Sequence, residues 1–154
     1  MFIYTKTFAG FDVVKFLPKL DSVMGWIGFL IRLAVLVGPV LILVLGLMYY
    51  FSPPKEANHR FGYRFYWGMG SVEAWRFTQR IAGIAFGGLG LVLTLIMFFV
   101  SGGFASMAVE DMVWKALSCL VWQAILTVLA TIAVHVLAFL NFDRNGEFRK
   151  KGNE

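Results

Sequence analysis

Three long apolar runs dominate the chain, separated by short joints marked by glycine, proline and charge. Residues 33–51, 81–100 and about 117–142 contain no Lys, Arg, Asp or Glu. Each reaches the roughly 20 residues needed to cross a hydrocarbon core about 30 Å thick. Backbone polar groups find no water inside lipid, so such runs predict helices, whose hydrogen bonds are internal. The period-two alternation of a membrane barrel is absent. The expected fold is all-α: an integral membrane protein with three transmembrane helices.

The joints set the expected boundaries. Asp21 or Ser22 can cap a helix running through Trp26 and Arg32 to Phe51. A helix over 23–51 is about 43 Å long, so tilt or a break near Arg32 must take up the excess over the core. Arg32 is expected to snorkel to the interface. Gly38-Pro39 predicts a kink, because proline removes a backbone donor. Pro53-Pro54 ends this span, and Ser71, followed by Glu73, predicts the N-cap of the next helix. The reading is a single membrane domain. It comprises an interfacial segment (1–25), a first span (about 26–51), a motif loop with a helix start (52–80), a second span (81–100), a loop (101–116), a third span (117–142) and a polar tail (143–154). The first span starts too late and runs too long for a cleaved signal peptide, so it is expected to be retained.

Composition agrees: 59% of residues are hydrophobic and 15% charged, against about a quarter charged in soluble domains. A short chain has too little interior to hide that much apolar surface from water. The single Cys119 excludes an internal disulfide, and two histidines, His59 and His135, give poor support for a metal site. No metal or other cofactor is expected. The net charge of +5 fits anionic lipid and topology rather than nucleic acid. Lys55, Arg60, Arg64, Arg76, Arg80, Arg144, Arg149, Lys150 and Lys151, nine in all, share the side of the motif loop and tail. Five, Lys6, Lys15, Lys19, Arg32 and Lys115, share the other. The positive-inside rule then places the N-terminus outside, with the 52–80 loop and C-terminus cytoplasmic.

The 52–80 loop holds the densest pattern. From Pro53 it reads PPKEANHRFGYR and continues FYWGMGSVEAWRFTQRIAG. Pro54, Asn58, Gly62-Tyr63-Arg64, Ser71 and Trp75, followed by Gln79, Ala82 and Gly83, resemble the SdpI family of bacterial membrane proteins, named for an immunity protein against a secreted killing toxin. The resemblance spans roughly residues 40–100. Where that family usually has Thr after Gly-Tyr-Arg, this chain has Phe65. The resemblance implies a bacterial cytoplasmic membrane location and a non-catalytic role in immunity or signalling, with a peptide toxin or partner protein as candidate ligand.

The residues also support readings of their own. Asn58 can tie a turn to backbone, and Gly62 permits an unusual backbone angle. Tyr63 and Trp75 suit the headgroup layer. Arg64, Arg76 and Arg80 can bind anionic lipid headgroups, and Arg76 and Arg80 share one helical face. The loop is then either a folded cap or a recognition surface for a peptide, partner or lipid.

In the third span, Gln123, Thr127, Thr131 and His135 form a polar stripe, which either bonds helices together or lines an ion path. Gly83, Gly87, Gly88 and Gly90 give the second span a small-residue face for packing against other spans or a second copy. No nucleophile elbow or phosphate-binding loop occurs, so no catalytic residue is named. The main alternative is an accessory subunit of a larger transport or envelope-synthesis complex, and homo- or hetero-oligomers both remain open.

Overall fold

A computed structural model describes residues 23–54 and 62–149. The interfacial segment over 1–22, Asn58 within 55–61, and residues 150–154 lie outside the described residues. Three helices follow in order: α1 (Val23–Phe51), α2 (Val72–Gly102) and α3 (Val109–Asn141). All three are long and apolar enough to cross a membrane, and the described residues contain no strand. The protein is an all-α, multi-pass membrane protein.

α1 and α2 form the most intimate pair. Their backbones approach where side chains vanish: Gly46 meets the Phe86–Gly87 backbone, Gly83 meets Tyr50 and Gly90 meets Leu43. A Cβ on Gly83 would stand 2.7 Å from the Tyr50 nitrogen. Close backbone approach maximises van der Waals contact where lipid removes the hydrophobic drive. Gly88 instead faces open space.

α1 runs unbroken through Arg32 and Pro39. The Arg32 guanidinium lies over the Phe98 ring of α2, 5.6 Å from its centroid. Pro39 has no N–H, which strips the Val35 carbonyl four residues earlier of its helical partner. Gln123 of α3 replaces it: its Nε2 donates to Val35 O at 3.1 Å, in a fully buried setting. One buried amide thus repairs α1 and fastens α3 to it.

Two apolar clusters stack along the bundle. Val35, Leu93, Met97, Phe104, Met112 and Ala116 fill the end far from the motif loop. Ala82, Phe86 and Val134 fill the near end. The outward faces carry large apolar side chains, among them Phe99 (75% exposed) and Trp122 (61%), the surface expected of helices solvated by lipid.

Two segments differ from expectation. α3 begins at Val109, inside the expected 101–116 loop, with a single short 3-10 turn (Gly103–Ser106) before it. Glu110 and Asp111 mark its first turn rather than a loop, because carboxylates suit the positive end of a helix. The tail is not simply polar. Residues 142–149 fold into a tight turn closed by an antiparallel bridge between Phe142 and Phe148.

Candidate functional site

The motif residues converge where α1 ends and α2 begins. Ser71 is the N-cap of α2, its Oγ accepting from Ala74 N at 3.0 Å, and Glu73 lies in the first turn. One turn on, Trp75 is fully buried and its indole Nε1 donates to Pro54 O at 2.8 Å. This bond ties the exit of α1 to the start of α2. Gly62 rests on the same ring: its φ is +113°, and a Cβ there would stand 2.6 Å from Trp75. Only glycine accepts both conditions.

Gln79, one turn beyond Trp75 and fully buried, grips the loop backbone at both ends of its amide. Its Oε1 accepts from Tyr63 N at 2.9 Å, and its Nε2 donates to Tyr63 O at 2.8 Å. Tyr63 is thereby aimed into the bundle, its ring against Tyr49, Phe86 and His135. Its Oη is buried and lies near the Thr131 hydroxyl without a well-formed hydrogen bond. Burial pushes the Tyr63 phenol above its usual value, outweighing the opposing pull of Thr131, so the group is neutral at physiological pH. Phe65 follows the same route and stacks on His135 with centroids 3.9 Å apart and planes 12° from parallel.

The loop then turns through Tyr66–Gly68, where Gly68 lies on Thr78 of α2. Beyond it, the C-terminal turn docks on the start of α2. Ser71 Oγ donates to Gly146 O at 2.6 Å, and Gly70 and Gly146 meet backbone to backbone. Gly146 sits at φ +75°. Asp143 Oδ1 accepts from Asn145 N and Glu147 N, stabilising the turn. Phe142 is fully buried against Phe77 and Phe148.

The expected site residues therefore separate into two sets. Pro54, Gly62, Tyr63, Ser71, Trp75 and Gln79 come together and face inward. Arg64, Arg76 and Arg80 are exposed at the same end of the bundle, the last two a helical turn apart. In the polar stripe, Gln123 bonds α1, and the Thr127 and Thr131 hydroxyls bond the carbonyls four residues back. His135 is taken up by the Phe65 and Tyr63 rings. Among the described residues no cluster of three His, Cys, Asp or Glu side chains could hold a metal. Sequence reasoning missed Thr78, Phe142, Asp143 and Gly146. Asn145-Gly146 between two phenylalanines was the available signal, a familiar turn dipeptide.

Neither the curated proteins nor the solved structures give a match. The family model of the SdpI/YfhL protein family, however, matches residues 55–140. That region takes in the motif loop from residue 55 onward, all of α2 and nearly all of α3, and stops short of the docked C-terminal turn. With more than half of its length covered, the chain belongs to the SdpI/YfhL protein family.

Proposed function

We propose that this protein is a non-catalytic binding or sensing component of the bacterial cytoplasmic membrane, with immunity or signalling as its role. In this reading the N-terminus lies outside and the motif loop and C-terminus face the cytoplasm, as the positive-inside bias favours. One observation carries the proposal. Trp75 and Gln79 hold the loop from within, and the frame so formed displays Arg64, Arg76 and Arg80 on its exposed surface. A rigid support that presents arginines suits recognition of an anionic group on a peptide, partner protein or lipid headgroup. The polar stripe supports binding over transport, since Gln123, Thr127 and Thr131 are committed to backbone carbonyls.

The test is protection of toxin-sensitive bacteria by the expressed protein. Protection is expected to disappear with Arg64→Ala at unchanged membrane abundance and to survive Lys150→Ala. Absence of protection by the parent chain, together with its recovery in gentle detergent as a stoichiometric part of a larger complex, would overturn this reading for the accessory-subunit one.

A further inference from the structure

The C-terminal turn builds a second arginine site, which the family match does not reach. Arg144 lies with its guanidinium carbon 5.9 Å from the centre of the Trp67 ring, and Arg149 lies 4.5 Å from the centre of the Phe139 ring. Trp67 and Phe139 touch edge to face, their centroids 5.4 Å apart. The two guanidinium groups are thus mounted on one continuous aromatic shelf, formed by the motif loop and the last turns of α3. Arg149 is fixed further by its Nε, which donates to Phe142 O at 3.0 Å. The turn that carries both is pinned by Ser71 and Gly146. Among the described residues, neither arginine forms an ion pair. Asp143, next to Arg144 in sequence, turns its Oδ1 to the backbone N–H groups of Asn145 and Glu147.

We infer that Arg144 and Arg149, backed by Trp67 and Phe139, form a binding site for the phosphate of an anionic phospholipid. The ligand class follows from the placement. The shelf stands at the end of α3, where a helix long and apolar enough to span a membrane stops, and both arginines are exposed there; polar and aromatic residues at such an end suit the headgroup layer. An aromatic face orients a guanidinium without consuming its outward N–H donors, which suit phosphate oxygens in pairs. Fixing the side chains beforehand removes much of the ordering cost of binding. The inference stands independently of the immunity or sensing role proposed above.

The test is lipid binding by the full chain in neutral detergent, followed by native mass spectrometry. The probes are phosphatidylglycerol, phosphatidylcholine and inorganic phosphate. Phosphatidylglycerol is expected to bind more tightly than phosphatidylcholine, and inorganic phosphate not to displace it. Arg144→Gln combined with Arg149→Gln should weaken phosphatidylglycerol binding tenfold or more, given the strength of charge-assisted hydrogen bonds. Arg144→Gln alone, which leaves every pin of the turn in place, should weaken it severalfold with unchanged helix content. Parental affinity in the double variant would overturn the inference. So would displacement by phosphate, or a loss that appears only in an Arg76→Gln, Arg80→Gln control, and the proposed function would be left untouched.

Discussion

A single side chain, Gln79, decides where the motif loop lies, because it satisfies both the N–H and the carbonyl of Tyr63. Gln79→Leu removes the partner of both groups, and the expected cost is about 2–4 kcal/mol. Gln79→Glu keeps the acceptor and loses the donor, so it should fall between the two. Thermal unfolding in detergent gives the ranking, and amide exchange at Tyr63 should quicken in the same order. Gly62→Ala meets two obstacles, a positive φ and the Trp75 ring, and should cost a comparable amount. At this scale the sequence was partly legible. Pro54, Gly62, Trp75 and Gln79 stood out as a spaced pattern, but their roles were hidden. Trp75 reads as an interfacial ring from sequence, whereas it is an internal strut between two helices. The reason is that a motif records residue types, while the partner of each is set by a fold that brings Pro54 and Tyr63 back onto α2. Phe65 makes the same point: nothing in its spacing announces that its ring stacks on His135.

Among the elements, the three spans were plain from hydropathy, since lipid permits few other structures for such runs. Their contacts were not. Pro39 suggested a kink and Gln123 a polar stripe, but only the bundle shows that the second answers the first. Gln123→Leu should therefore loosen α3 from α1, at about 1–3 kcal/mol, through the stranded Val35 carbonyl. Pro39→Ala in the same background restores a helical N–H to that carbonyl and should recover part of the loss. Recovery in the double variant, read by thermal unfolding, distinguishes this coupling from simple loss of packing. The α1–α2 seam gives a sharper contrast. Gly90→Val should part the helices, because Leu43 backbone occupies the space, while Gly88→Ala should be silent in the same assay. From sequence these glycines were one face; in the bundle they divide by which of them meets α1.

For the molecule as a whole, the loop side of the bundle is closed by parts far apart in sequence: the end of α1, the motif loop, the start of α2 and residues 142–149. Deleting 142–154 removes the fully buried Phe142 and the Gly146 partner of Ser71. A loss of about 2 kcal/mol or more is expected from the apolar burial alone, detectable as a lowered Tm. The polarity of 143–154 concealed this element, because its anchors are two phenylalanines and two backbone contacts rather than an apolar run.

Ser71 also imposes an order on assembly. Its hydroxyl serves both as the cap of the second helix and as the clasp for the final turn, and the clasp lies 75 residues downstream. The first two helices can zip along their glycines while synthesis is still under way. The rim, by contrast, locks only after residues 142–149 emerge, so nascent chains halted before Gly146 should insert normally yet remain unusually open to protease at the start of α2.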